Sequence, residues 1–253
     1  MEKIGLLIDS TTATDDILIS YDFVKIVYLN VIIDHREYLE KELSKTQMEK
    51  YIESNQRMTT SQPAPADFID VFEEFKNEGY THIIAVVLSD KMSGTFQSGV
   101  LAKSLMNIDI DVTIKTPRLA GFGITNGLRI LSKEIEANKN YKHVMKRYNE
   151  IFKDSLIAFT VTDLNHLYNG GRLTRIQSLI GTVLRIKPII QVVEGKFELV
   201  KKARTNNACQ NFFLNEIDKY VKKYNNVYLD IVYLNAEKWG QNLKKTVTDR
   251  YEN

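Results

Sequence analysis

The chain has 253 residues, enough for one large domain or two modest ones, each with its own core. Apolar residues make up 43% and charged residues 26%, which excludes long disorder, and a net charge of +2 argues against a dedicated nucleic-acid binder. A single cysteine, Cys209, excludes an intramolecular disulfide framework and suits a reducing compartment. The opening MEKIGLLIDS holds an apolar run too short for a signal peptide or a membrane span, so a cytoplasmic, soluble protein is expected.

In chain order, Ile4 to Ile8 is a short apolar run that predicts a buried strand, followed by a polar turn (DSTTATDD) and a brief helix. Val24 to Ile33 is rich in β-branched side chains and predicts one or two strands. Lys45 to Ser54 suits a helix. From Ala66 the spacing of Phe68, Phe72 and Phe75 predicts a helix with one apolar face, ended by Gly79. His82 to Leu88 predicts a strand without polar alternation, as expected when both faces of a parallel sheet are covered. A helix from Thr95, a strand from Ile110 to Thr116, and helices over Ile124 to Ala137 and Val144 to Phe152 follow. This alternation predicts an α/β fold with a mostly parallel sheet flanked by helices.

Past Asp154 the texture changes. Ser155 to Arg175 predicts a strand, a short helix and a glycine pair, and Ile176 to Ile186 predicts a helix. Lys187 to Thr205 predicts an antiparallel hairpin turning at Glu194-Gly195-Lys196. A helix through Phe212 to Tyr224, a strand over Val227 to Leu234 and a last amphipathic helix complete the pattern. We therefore expect an N-terminal α/β domain over residues 1–153 and a C-terminal α+β domain over residues 154–253.

Three segments place hydroxyls before a predicted helix: Ser10, Thr11 and Thr12; Thr59, Thr60 and Ser61; Ser93 and Thr95, with Gly94 between them. Helix N-termini at the carboxyl ends of parallel strands present free N–H groups, so such segments favour an anion or a strong acceptor. The spacing is neither that of a phosphate-binding P-loop nor G-x-G-x-x-G, and the weak positive character suits a carboxylate better than a triphosphate. The plain alternative, of equal weight on pattern alone, is that these residues cap helices.

Other chemistries find less support. Lys91 stands where the first glycine of G-x-S-x-G would be, and none of His35, His82, His143 and His166 sits in a catalytic context. No His, Cys or Asp pair has metal-ligand spacing; Asp15 and Asp16 read as helix-start carboxylates and Cys209 as a core residue. Between Gly170 and Arg204, eight basic residues face only Glu194 and Glu198, which makes either a solvated face or a docking surface for an acidic partner. No aromatic-interleaved signature supports RNA binding.

Five of these stretches, IDSTTATDD, TTSQPAPADF, SGTFQSG, YNGGRLTR and LRIKPIIQVVEGKFELVKKART, occur in an order and spacing that resembles the DegV family. Its members are fatty-acid-binding proteins that serve as the FakB-type subunit of bacterial fatty acid kinase. The resemblance runs from Ile4 to the last helix. It implies one long-chain fatty acid held in a tunnel between the two domains, with its carboxylate at Thr60, Ser61, Ser93, Gly94 and Thr95. It further implies a non-enzymatic subunit without cofactor or metal, whose Arg172 and Arg204 face a separate ATP-using kinase that makes the acyl phosphate. The family pattern continues past the last helix into a C-terminal strand and a His-x-Gly-Pro-Gly segment, which are not expected in this sequence, whose last residues are VTDRYEN, and it commonly has Asp-Ser where Thr116-Pro117 stands. The competing readings are a Ser93-dependent hydrolase or acyltransferase and a lipid-sensing regulatory module.

Overall fold

In the computed structural model, which describes residues 2–12, 15–54, 56–162, 164, 167, 170–172 and 186–251, four strands form a parallel sheet. They are β1 (Ile4–Asp9), β2 (Val24–Val27), β6 (His82–Val86) and β7 (Asp111–Lys115), in the spatial order β2-β1-β6-β7. Successive side chains point to opposite faces, so each strand feeds two cores. Leu6, Ile8, Ile84 and Val86 pack against α5 (Phe122–Glu136) and α6 (Tyr141–Lys153). Leu7, Ile83, Ala85 and Val87 pack against α3 (Pro65–Asn77) and α4 (Thr95–Leu105). Covering both faces is why these strands carry no polar alternation.

The helices follow from local chemistry. Pro65 opens α3, where its missing N–H is no loss, and Asp67 accepts from the Ala64 amide at 2.7 Å. Phe68, Phe72 and Phe75 are then fully buried, each worth roughly 1.5–3 kcal/mol of transfer. A shorter helix, α1 (Asp16–Ile19), is capped by Asp15, and α2 (Lys45–Glu53) by Ser44.

The β-branched stretch from Val24 divides between two sheets. Its second half is β3 (Asn30–Ile33), the centre of an antiparallel sheet with β4 (Arg36–Leu39) and β5 (Met58–Ser61). Asp34 and His35 both take left-handed backbone conformations at the β3–β4 turn, as a two-residue hairpin demands. This small sheet carries Thr60 and Ser61.

The C-terminal sheet has the order β10-β9-β8, all antiparallel, with β8 (Ala158–Thr160), β9 (Lys187–Val193) and β10 (Lys196–Ala203). Glu194 and Gly195 form the expected turn, both with positive φ. Ile189, Ala203 and Cys209 build a core with Phe212, Phe213 and Trp239 of α7 (Asn206–Lys223) and α8 (Glu237–Tyr251). Cys209 is buried, and burial pushes its thiol pKa up, so the core reading holds.

One expected element does not form. Val227 to Leu234 lies outside any strand, and Tyr228, Val232 and Leu234 stay more than half exposed. Among the described residues no strand pairs with this segment, and a strand without a neighbour has no ladder to hold it. It is instead fastened by Asp230, whose carboxylate accepts from Arg129 of α5 at 2.9 and 3.0 Å. The helices expected between residues 155 and 186 fall outside the described residues.

Candidate functional site

The site begins where β6 leaves the sheet. The Leu88 amide donates to Asp9 Oδ2 at 2.6 Å and the Ser89 amide to the Leu119 carbonyl at 2.8 Å. Ser89 then accepts the amides of Met92 and Ser93 on its carbonyl, at 3.0 and 3.1 Å, which curls the loop toward α4. At the helix start the Ser93 and Thr95 hydroxyls are 2.9 Å apart, and the Thr95 amide donates to Ser93 Oγ at 3.3 Å. Ser93 thus makes a local turn bond at the helix start, but the N-cap of α4 is Gly94, with no side-chain cap bond, and Ser93 remains half-buried.

Gly94 explains how the second segment arrives. A Cβ here would overlap the Gln62 side chain, which lies flat against the glycine. Gln62, the residue after β5, is thereby seated at the α4 N-terminus, where the Ser93 and Thr95 hydroxyls meet, while Thr60 and Ser61 precede it on β5 with their side chains on opposite faces of that strand. The four hydroxyls are not equivalent. Thr60 is exposed, whereas Thr95 is wholly buried. Ser61 donates its proton to Glu37 Oε1 at 2.7 Å, so its hydroxyl is already committed to a carboxylate.

The C-terminal hairpin closes over the same loop. Ser89 Oγ donates to the Gly195 carbonyl at 2.8 Å, and a Cβ on Gly195 would overlap Ser89. Beside it, Arg118 lies between Asp90 at 3.7 Å and Glu194 at 3.5 Å. Thr116, where the family pattern has Asp, donates its hydroxyl to the Leu88 carbonyl and accepts the Arg118 amide, both at 3.1 Å. Met92, Leu119 and Val192 share one core with Phe197, which meets Phe159 edge-on at 5.4 Å.

Of the two arginines, Arg172 reaches the site directly. Its Nε donates to the carbonyl of Met92, one residue from Ser93, at 2.9 Å, and its Nη1 to the Gly170 carbonyl. Arg204 is exposed just past the far end of β10. Eight strand residues separate that end from the hairpin tip, roughly 26 Å at 3.3 Å per residue, so the two are not one compact patch. Arg175 and Arg185 lie outside the described residues.

Asp9 is a functional candidate that sequence reasoning does not single out. It is fully buried at the end of β1. Oδ1 accepts the Thr11 amide at 2.9 Å and its hydroxyl at 2.5 Å, while Oδ2 takes Leu88. Burial pushes its pKa up to about 6 against the pull of those donors, and Glu40 adds to the rise. Its one sequence signal is a charge closing an otherwise apolar strand.

Among the described residues the Ser93 hydroxyl pairs with Thr95 and not with a histidine. His82 stacks on Tyr141 and reaches Asp111, His143 meets Glu134 at 3.0 Å, and His35 sits in the β3–β4 turn. His166 lies outside the described residues. Among the described residues no group of three His, Cys, Asp or Glu is placed to hold a metal, and no helix is long and apolar enough to cross a membrane.

The model of the DegV family, described as "Uncharacterised protein, DegV family", matches residues 3–253. The chain belongs to the DegV family. A DegV domain-containing protein of Listeria innocua is 30% identical over 256 residues, covering 99% of this chain and 89% of its own length. One from Listeria monocytogenes is 34% identical over 210 residues, covering 81% and 72%. Among solved structures, a DegV family protein from Thermus thermophilus described as binding fatty acid is 27% identical with a TM-score of 0.76, covering 86% of this chain and 78% of that one. A fatty-acid-binding DegV family protein from Streptococcus agalactiae shares the fold at a TM-score of 0.87 and 22% identity, covering 99% and 89%. The DegV assignment thus agrees with the α/β sheet and antiparallel hairpin described above.

Proposed function

We propose that this DegV protein binds one long-chain fatty acid between its N-terminal domain (1–153) and C-terminal domain (154–253). In this reading Thr60, Ser61, Ser93, Gly94 and Thr95 surround the carboxylate. The observation that carries it is the seating of Gln62, next to Ser61, on Gly94, which sets the end of β5 beside the α4 N-terminus, where Ser93 and Thr95 pair their hydroxyls and Arg172 bonds the Met92 carbonyl. The fatty-acid binding described for the Thermus thermophilus relative supports the ligand class.

The physics divides the work between head and tail. A carboxylate taken out of water needs several donors to offset its desolvation. The tail supplies tightness: at about 0.8 kcal/mol per buried methylene, a long chain gains on the order of 10 kcal/mol before ordering costs. Thr60 and Ser93 are the stronger donors, because Ser61 already serves Glu37. The protein itself supplies no catalytic group and needs no cofactor. It acts in the cytoplasm and presents the carboxylate to a separate ATP-dependent fatty acid kinase, which forms the acyl phosphate; Arg172 and Arg204 face that partner.

Native mass spectrometry of protein purified from bacteria, followed by lipid extraction, tests this. The wild type should carry about one fatty acid per chain. Thr60→Ala with Ser93→Ala should weaken retention about tenfold per hydroxyl, the equivalent of roughly 1.4 kcal/mol each. Undiminished retention in the double variant would sink the head-group assignment.

A further inference from the structure

The buried Asp9 carboxylate is the strongest feature that the proposed function leaves unused. Its two oxygens reach opposite ways from the end of β1: one to the turn at Thr11, the other to the Leu88 amide where the Ser89–Thr95 loop begins. From Leu88 the chain of contacts continues without a gap. Its carbonyl accepts from Thr116, and the next residue, Ser89, accepts the Ser93 amide and donates to Gly195.

The geometry points to Asp9 as the positioning residue of the head-group loop, holding Leu88 and the Thr11 turn at a fixed separation and so setting where Ser89 and Ser93 present their hydroxyls. The inference rests on the head-group reading above. A carboxylate suits this place because all three partners are donors, and a carboxylate offers acceptor sites on both oxygens. An amide of the same size has one acceptor oxygen, so on one side its NH2 would meet an N–H. The bridge would then be held at one end only.

The surroundings make the bridge responsive to protons. Glu40 is the charged group that faces Asp9, reached through Ser10, whose hydroxyl donates to Glu40 and accepts the Leu29 amide at 3.0 Å. The sheet neighbour across β2 is Val27, the β6 side presents Leu88, and α5 meets the turn through Gly121 and Thr125, none of them titratable. With its pKa raised to about 6, Asp9 takes up a proton as pH falls through that value and gives up an acceptor site.

The test is stopped-flow release of a dansyl-labelled undecanoic acid from the full chain into phosphatidylcholine vesicles, with thermal unfolding of the ligand-free protein alongside. Asp9→Asn should release the probe about tenfold faster, the equivalent of one hydrogen bond to a charged group, while the ligand-free Tm stays within a few degrees, because removing a buried charge offsets the lost bond. Wild-type release should accelerate as pH falls through about 6. That step should be absent in Asp9→Asn and displaced to lower pH in Glu40→Gln, which keeps every Asp9 hydrogen bond. Titration of the probe's own carboxyl is common to all three. Release from Asp9→Asn at the wild-type rate, while Ser93→Ala releases faster, overturns the inference. So does a fall in Tm that matches the loss of retention, or a pH step in Asp9→Asn as large as that of the wild type. If neither Asp9→Asn nor Ser93→Ala alters release, the head-group reading itself fails.

Discussion

Gly94, the N-cap of α4, has a negative φ of −76° that any residue can adopt, so its role is one of space and not of conformation. Gln62 occupies the volume where a side chain would be. Gly94→Ala should therefore leave α4 intact, cost about 1 kcal/mol or less through displacement of the flexible Gln62 end, and weaken fatty-acid retention by moving β5 away from Ser93. Native mass spectrometry with a melting curve checks this: retention equal to the wild type would show that the two segments need not touch. At this scale the sequence was partly legible. Hydroxyls bracketing a glycine before a helix can be seen in the chain itself, because capping chemistry is local. That Ser61 is held by Glu37 could not be seen, since the two lie 24 residues apart and meet only across the small antiparallel sheet. Asp9 was obscured for a different reason: an Asp before Ser-Thr-Thr looks like an ordinary turn former, and its reach to Leu88 crosses 79 residues.

Among the elements, α5 is the one whose connections the sequence hid. Its Arg129 donates Nε to Asp15, the cap of α1, and Nη1 to Asp230 and Asn126. One guanidinium thus ties α1 and the segment around Asp230 to the same helix. Most strands and helices of the described residues were otherwise readable, because periods of two and 3.6 residues are written locally, but β4 and β5, four residues each, were missed as too short to show a period. The failure at Val227 to Leu234 is instructive: a β-rich composition describes a preference, but a strand requires a neighbour. Arg129→Met should cost about 1 kcal/mol near pH 7, modest because the arginine side chain is 38% exposed and solvent screens it. Burial pushes the Asp15 carboxyl up, but the Leu18 amide and Arg129 outweigh it and hold it below its ordinary value. A depressed carboxyl stabilises the fold above its unfolded pKa near 3.8 and loses that contribution as pH falls through the folded value. Urea unfolding should accordingly show the gap between wild type and Arg129→Met narrowing below about pH 4. A gap independent of pH would mean that the arginine acts through packing alone.

For the whole molecule, the decisive contact is the hairpin tip on the β6–α4 loop, joined by Ser89 and Gly195 across 106 residues. The two textures of the chain were legible, but their seating was not, since it depends on a glycine turn fitting a serine far away in sequence. This seating also separates the two arginines that the family resemblance assigns to a kinase partner. Arg172 is bonded to the Met92 carbonyl, so changing it disturbs the head-group loop and any docking face together. Arg204, exposed roughly 26 Å along β10 from the hairpin tip, has no such tie to the loop and gives the cleaner experiment. Arg204→Glu should leave the bound fatty acid in place by native mass spectrometry. Acyl phosphate formation by a bacterial fatty acid kinase catalytic subunit should fall several-fold, through slower association, because charges at an interface rim act mainly on the on-rate. The deficit should be largest at low ionic strength and shrink once the screening length drops below about 8 Å, near 0.15 M salt. Turnover equal to the wild type at low salt would place the proposed docking face away from this end of β10.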